Sequence, residues 1–426
     1  MRTVSKTVIG VDFGTQSARA VLVNAENGEI IYSCRKEYPY NSTPVPAIDC
    51  AENLPCATDY EMTLYELLRN VIPEEYRKTV AGICIDATSL TMVLLAEDGR
   101  ALSELDGWSE AAHARVKLWK YHRAQEKADE ALNLASNLQE PFLGRTGGSI
   151  SCEWMLPKLL EVRDEAPEIY SKIDLAMDLC EFLTFRLTGQ LVRSIGSLSY
   201  KCLWAEDLSF PERTFLNGLR AGFYEEYCHF LRGDVRKPGE CAGMLRSELT
   251  KRWGLPEQIP VATGMLDGHT SLATMGAFEP GDAALIVGTS NVCTVQDRKL
   301  QELKDVCGVA QEGMVTGSCG IDTGQSSTGN MLGWFVEHMA GWQIHREAEE
   351  RKISPHQVLA ERIQKPWENK VIAVDWWSGS RNAPCDLTLR GSMSGLEMDT
   401  KTEDIYLALL QAIACGTGTI LESLSG

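Results

Sequence analysis

The signatures of the commonest nucleotide and hydrolytic chemistries are missing from this chain. It has no G-x-x-x-x-G-K-[ST] phosphate loop, no G-x-G-x-x-G dinucleotide turn, no H-E-x-x-H zinc helix and no G-x-S-x-G nucleophile elbow. P-loop enzymes, Rossmann dehydrogenases, zincins and α/β-hydrolases therefore lose ground. No two of the fourteen cysteines, scattered from Cys34 to Cys415, stand in C-x-x-C spacing. That speaks against structural zinc and for free thiols in a reducing cytoplasm. Met1 to Lys6 is polar and forms no signal peptide. No apolar stretch approaches membrane-spanning length, and no low-complexity segment or long Pro/Gly linker occurs. Basic charge is also scarce. With 41 Lys+Arg against 59 Asp+Glu, the net charge is −18, which repels nucleic acid and anionic lipid. An acidic protein can still take an anionic ligand, provided backbone N–H groups and a metal ion meet its charge.

What is present is globular: 44% hydrophobic and 23% charged residues. At 426 residues the chain is too long for one ordinary core, so two domains, or three, are expected. Three segments share a pattern of strand, small or hydroxyl-bearing turn, strand. The first is Thr7–Asp12, Gly14-Thr15-Gln16-Ser17, Ala18–Val23, followed by the hairpin signal Asn27-Gly28 and a strand Ile30–Ser33. The second is Val80–Asp86, Ala87-Thr88-Ser89, Thr91–Leu95. The third is Ala283–Val287, Gly288-Thr289-Ser290, Val292–Gln296. The recurrence in both halves predicts a duplicated fold. Apolar periodicity predicts helices at Tyr60–Val71, Glu110–Ala135, Glu153–Val162, Thr328–Met339 and Thr402–Leu424. The domain junction is expected near Gly254–Ile259, dividing residues 1–256 from 257–426, with a fresh strand at Ile259–Thr263.

In Asp12-Phe13-Gly14-Thr15-Gln16-Ser17 an acid ends a strand and a tight glycine turn follows. Glycine lets the backbone approach a phosphate, successive N–H groups form an anion nest, and Asp12 could hold Mg²⁺ through water. The same residues also make an ordinary β-turn capped by Asp12. The second such turn, Gly288-Thr289-Ser290, shifts the balance, because two turns from two halves can close on opposite sides of a triphosphate. Asp267 stands where a strand enters a helix. It suits either a helix cap or a base that accepts a hydroxyl proton during phosphoryl transfer. Lys201, read alone, is a solvated surface lysine. Six of the ten tryptophans, Trp119, Trp154, Trp204, Trp334, Trp376 and Trp377, suit a core, and His113, His122 and His269 lack metal-ligand spacing.

Asp12-x-Gly14-Thr15 with Gly288-Thr289 resembles the sugar kinase, Hsp70 and actin superfamily. His113-Ala-Arg-Val-Lys-Leu-Trp-Lys120, Gly147-Gly148-Ser-Ile-Ser-Cys-Glu153-Trp154-Met155-Leu-Pro157-Lys158, Leu187-Thr188-Gly189, Tyr200-Lys201-Cys-Leu-Trp204, Gly324-Gln325-Ser326 and Asp375-Trp376-Trp377-Ser-Gly379-Ser-Arg381 are similar to segments of the ribulokinases in the FGGY carbohydrate kinase family. The resemblance runs from about residue 8 to the end. It implies an α/β fold of two ribonuclease-H-like domains around a nucleotide cleft. It also implies an ATP- and Mg²⁺-dependent kinase acting on a ketopentose or pentitol. Carried over by position, Asp267 becomes the catalytic base and Ser89, Lys201, Asp267 and Asp322 the sugar contacts. Gly14, Thr15, Gln16, Gly288, Thr289 and Gly329 become nucleotide contacts, and Asp12 the metal ligand. The implied partner is a small-molecule sugar, with no nucleic acid or membrane. Homodimerisation is left open by the sequence, and the expected location is cytoplasmic.

Two positions depart from the ribulokinase pattern: Ser89 stands where Ala is usual and Asp322 where Glu is usual. Both would face the sugar, so the favoured sugar is expected to differ from L-ribulose. The chain also ends at Gly426, earlier than the family's adenine loop and closing helices. The second domain is therefore expected to be incomplete and ATP binding weak. Two rivals follow: a catalytically impaired sugar- or nucleotide-binding protein, and an actin- or Hsp70-like ATPase that hydrolyses ATP without sugar.

Overall fold

The computed structural model describes residues 5–38, 54–207, 209–304, 306–381, 386 and 388–425. In Thr7–Phe13, Ile9, Val11 and Phe13 point inward while alternate residues are more exposed, the period-two signature of a half-covered strand. It pairs antiparallel with Ser17–Asn24 and parallel with Val80–Ala87. The sheet runs Ile30–Glu37, Ser17–Asn24, Thr7–Phe13, Val80–Ala87, Pro260–Ala262, Cys241–Met244, and the short strand Met265–Leu266 also lies beside Val80–Ala87. Helices Ala57–Val71 and Leu179–Thr188 pack on this sheet, and their apolar residues join one buried core with it. A second core in the same half is helical, formed by Gln125–Leu138, Met155–Glu165, Arg213–Leu219 and Phe223–Phe230.

The second half is built on an antiparallel sheet, ordered Ala283–Val287, Asn291–Asp297, Cys319–Gln325, Gly308–Gln311. Helices Gly329–His338, Trp342–Arg351, Pro355–Arg362 and Thr402–Ser425 contribute to its own apolar cluster. The molecule is thus an α/β fold of two lobes, each with its own sheet.

Four expectations need correction. Val80–Ala87 and Met92–Leu95 do not form a hairpin: Leu90 takes a left-handed backbone between them (φ 61°), and Met92–Leu95 pairs instead with Leu175–Asp178. The helix expected over Glu110–Ala135 is confined to Gln125–Leu138. Its upstream part is a run of turns rather than helix, pinned where Lys117 bridges to Met92 and Val116 N–H bonds the Pro55 carbonyl. The strand expected to open the second domain, Ile259–Thr263, instead belongs to the first sheet as Pro260–Ala262. Finally, Thr402–Leu424, with a mean hydropathy of 1.4, is long and apolar enough to cross a membrane by length and composition alone. It packs on the second lobe, against strands Ile372–Val374 and Cys319–Gln325, and Thr417 on it donates to Gln325 Oε1 at 2.7 Å.

Candidate active site

The two lobes share a cavity of about 630 Å³. From the first lobe come the C-terminal ends of Thr7–Phe13 and Val80–Ala87. Parallel pairing sets Asp12 beside Asp86, with Met265 next in register, so that Asp267 follows at the same sheet edge. All three acids line the cavity. Burial pushes the Asp86 carboxyl up to about 8, and the carboxylates of Asp12 and Asp267 add to the effect. Asp267 is the first residue of helix Asp267–Met275 rather than the cap before it, and its Oδ1 accepts from Gly268 N–H at 2.7 Å. Burial raises its pKa, against the main-chain N–H groups of Gly268 and Ser89, which face the carboxylate.

The two glycine turns meet this cavity from opposite lobes. In the first, Gly14 N–H bonds the Ser17 carbonyl at 3.2 Å, and Trp119 Nε1–H donates to Thr15 Oγ1 at 3.1 Å. In the second, Gly288 N–H bonds the Ser290 carbonyl at 3.1 Å, and Gly329 N–H donates to the Gly288 carbonyl at 3.0 Å. A Cβ on Gly329 would stand 2.5 Å from that carbonyl, so only glycine lets the helix Gly329–His338 start so close to the turn. Gly14, Thr15, Gly288 and Thr289 line the cavity; Gln16 and Gly329 do not, and both are exposed.

On the other side lies a charged cluster. Lys201 Nζ donates to Asp322 Oδ2 at 3.0 Å, with both side chains nearly buried, and His269 Nε2 stands 3.5 Å from the same oxygen. Burial opposes the Asp322 charge, but Lys201 and His269 outweigh it and hold the carboxyl well below the usual range. Lys201 is therefore no surface lysine. The hydroxyl of Ser89 is buried nearby with no hydrogen-bond partner among the described residues. Arg381 Nη2 donates to Glu153 Oε1 at 2.6 Å, and His122 Nε2 stands 3.0 Å from that atom. Burial opposes the Glu153 charge as well, yet Arg381 and His122 bring its carboxyl down to about 2.

A second cavity, of about 370 Å³, is lined largely by apolar residues such as Phe142, Leu203, Trp204 and Phe210. It holds none of the expected site residues.

The family models place the chain. That of the FGGY carbohydrate kinase N-terminal domain matches residues 7–274, and that of the C-terminal domain matches residues 283–426. The chain belongs to the FGGY family of carbohydrate kinases. Curated FGGY relatives include the ribulokinase of Halalkalibacterium halodurans, 33% identical over 99% of this chain and 77% of its own length. That of Mycolicibacterium smegmatis is 36% identical over 98% and 76%. Among solved structures, ligand-bound xylulose kinase from Lactobacillus acidophilus superposes with a TM-score of 0.77 at 19% identity, covering 98% of this chain and 78% of its own. Plasmodium falciparum glycerol kinase with ADP gives 0.76 at 16%, covering 99% and 79%. These two likenesses concern the fold.

The FGGY cavity gathers Asp12, Gly14, Thr15, Ser89, Lys201, Asp267, Gly288, Thr289 and Asp322 as expected from sequence. Asp86 and Arg381 also line it and were not singled out. The tryptophans divide: Trp154 is buried and Trp119 half-buried, both lining the cavity, whereas Trp334 is exposed.

Proposed function

We propose that this FGGY kinase transfers the γ-phosphoryl group of ATP to a hydroxyl of a ketopentose or related pentitol. The observation that carries this reading is the position of Asp267, in one cavity with both glycine turns and the Lys201–Asp322 pair. Ribulokinases are among its relatives at over 30% identity. Lys201, Asp322 and Ser89 hydrogen-bond the sugar. Asp267 takes the proton of the reacting hydroxyl as its oxygen attacks the γ-phosphorus, and ADP leaves. The main-chain N–H groups of the turns at Gly14-Thr15 and Gly288-Thr289 meet the phosphates. Gly329 holds the second turn, and Gln16 closes the first from outside.

A divalent cation fits the acid pair Asp12 and Asp86. Their side chains are hydrogen-bonded to each other, and their oxygens are the hard ligands Mg²⁺ prefers. Among the described residues no three Asp, Glu, His or Cys side chains converge on a ready-made metal site. Bound at the acid pair, the cation would neutralise charge on the transferring phosphoryl group.

We place the division between lobes after Leu266 rather than at residue 256, since the strands up to Leu266 pair within the first sheet. Ser89 and Asp322 set the preferred sugar apart from L-ribulose, with D-ribulose, xylulose or a pentitol as candidates. A panel of pentuloses and pentitols, read by ADP release, tests the reading. Sugar-dependent release supports it; release without sugar, or none at all, defeats it.

A further inference from the structure

The loop Thr88-Ser89-Leu90 lies between the acid edge of the first sheet and the sugar side of the cavity. Its last residue, Leu90, adopts a left-handed backbone that a leucine avoids, and its side chain is buried. Both main-chain groups of Leu90 are taken by buried side chains of opposite charge. Its N–H donates to Asp178 Oδ2 at 3.0 Å, and its carbonyl accepts from Lys158 Nζ at 2.7 Å. Lys158 and Asp178 make no ion pair of 4.0 Å or less with each other; each faces the peptide backbone instead. The same ammonium donates to the carbonyl of Leu118 at 2.9 Å and to that of Lys117 at 3.3 Å. The residue after Leu118 is Trp119, whose indole holds Thr15 in the first glycine turn. The residue before Leu90 is Ser89, whose N–H faces Asp267.

We propose that Lys158 and Asp178 are positioning residues of the transfer site: they clamp Leu90 from both sides and so fix Ser89 against Asp267, while Lys158 ties that loop to the turn carrying Trp119. This rests on the kinase reading above. Neither residue lines the cavity, so neither touches substrate. Burial brings the Lys158 ammonium down to about 7 and the Asp178 carboxyl up to about 7. Fully buried charges so close to losing their ionisation are poor stabilisers, and a demand on backbone geometry accounts for them. Lysine supplies three donors, and here they reach three carbonyls of two separate segments.

The test compares the parent with Lys158→Met and with the double variant Lys158→Met, Leu90→Gly. Methionine removes the ammonium at similar volume, and glycine takes a positive φ without strain. In Lys158→Met, amide exchange across Thr88–Leu90 should speed at least tenfold. Its kcat should fall at least tenfold while the KM for ATP stays within threefold. The double variant should recover at least threefold of the lost kcat. Should Lys158→Met not fold, Asp178→Ala loosens the same residue from the other side and must give the same acceleration of exchange. Exchange and kcat both at parental values, or a double variant no better than the single, would overturn the clamp. The exchange readout needs no substrate. A parent without sugar-dependent ADP release would therefore count against the kinase reading, and unchanged exchange against the clamp alone.

Discussion

Asp267 is the group on which turnover depends in this reading. Asp267→Asn should lower kcat by on the order of 10²–10⁴ while sugar affinity, measured by calorimetry, changes little, because the base acts mainly in the transition state. A kcat within threefold of the parent would return Asp267 to a purely structural role. Burial raises the pKa of this carboxyl, and a base works only when ionised. Activity should therefore be lost as pH falls through that raised value. The acid limb of kcat/KM should lie above the ordinary aspartate value of about 4, and Asp267→Asn should abolish it. At this scale Asp12 and Asp267 were legible as acids at strand ends, whereas Lys201, a surface lysine when read alone, and Ser89 were singled out only through the family resemblance. Arg381 was hidden because its partner Glu153 lies 228 residues away. Asp86 was hidden because its chemistry comes from a parallel neighbour strand.

Between residue and lobe, the decisive pieces are short elements held by glycine. Tyr200, just before Lys201, inserts its ring among Gly308, Gly313 and Gly320, and its hydroxyl donates to the Gly320 carbonyl at 2.7 Å. A Cβ on Gly320 would stand 2.5 Å from that hydroxyl. Gly320→Ala should cost about 1–3 kcal/mol by overpacking. By shifting Lys201 it should also raise the KM for sugar more than that for ATP; thermal melting and paired KM values check both. Gly329→Ala should do the reverse, raising the KM for ATP at constant sugar KM, since it presses on the turn at Gly288. Element positions were legible where one face repeats, as in Thr7–Phe13 or Ala57–Val71. Glu110–Ala135 misled because Val116 and Leu118 are apolar for another reason: they plug a core from a non-helical run of turns. The strand at residues 260–262 was found but given to the wrong sheet, since a strand's local pattern does not name its neighbour.

Polar contacts between the lobes include Lys201 with Asp322, Tyr200 with Gly320 and Glu153 with Arg381 around the cavity, and Lys237 with Glu312 and Leu303 N–H with the Gly144 carbonyl away from its lining. Arg381→Met would leave Glu153 with His122 alone. It should loosen that side and admit water, so ADP release without sugar should rise at least threefold; an unchanged background rate would deny Arg381 any part in closure. The Lys201–Asp322 pair has a further consequence, because one member belongs to each lobe. A sugar that exchanges hydrogen bonds with both becomes a third party to the contact between lobes, and its affinity depends on how far apart they stand. Whatever else sets that spacing, nucleotide included, must alter sugar affinity. Thermodynamic reciprocity then obliges the sugar to alter nucleotide affinity by the same factor. Neither ligand has a single dissociation constant for such a protein, and a value measured with one alone describes only the half-loaded molecule.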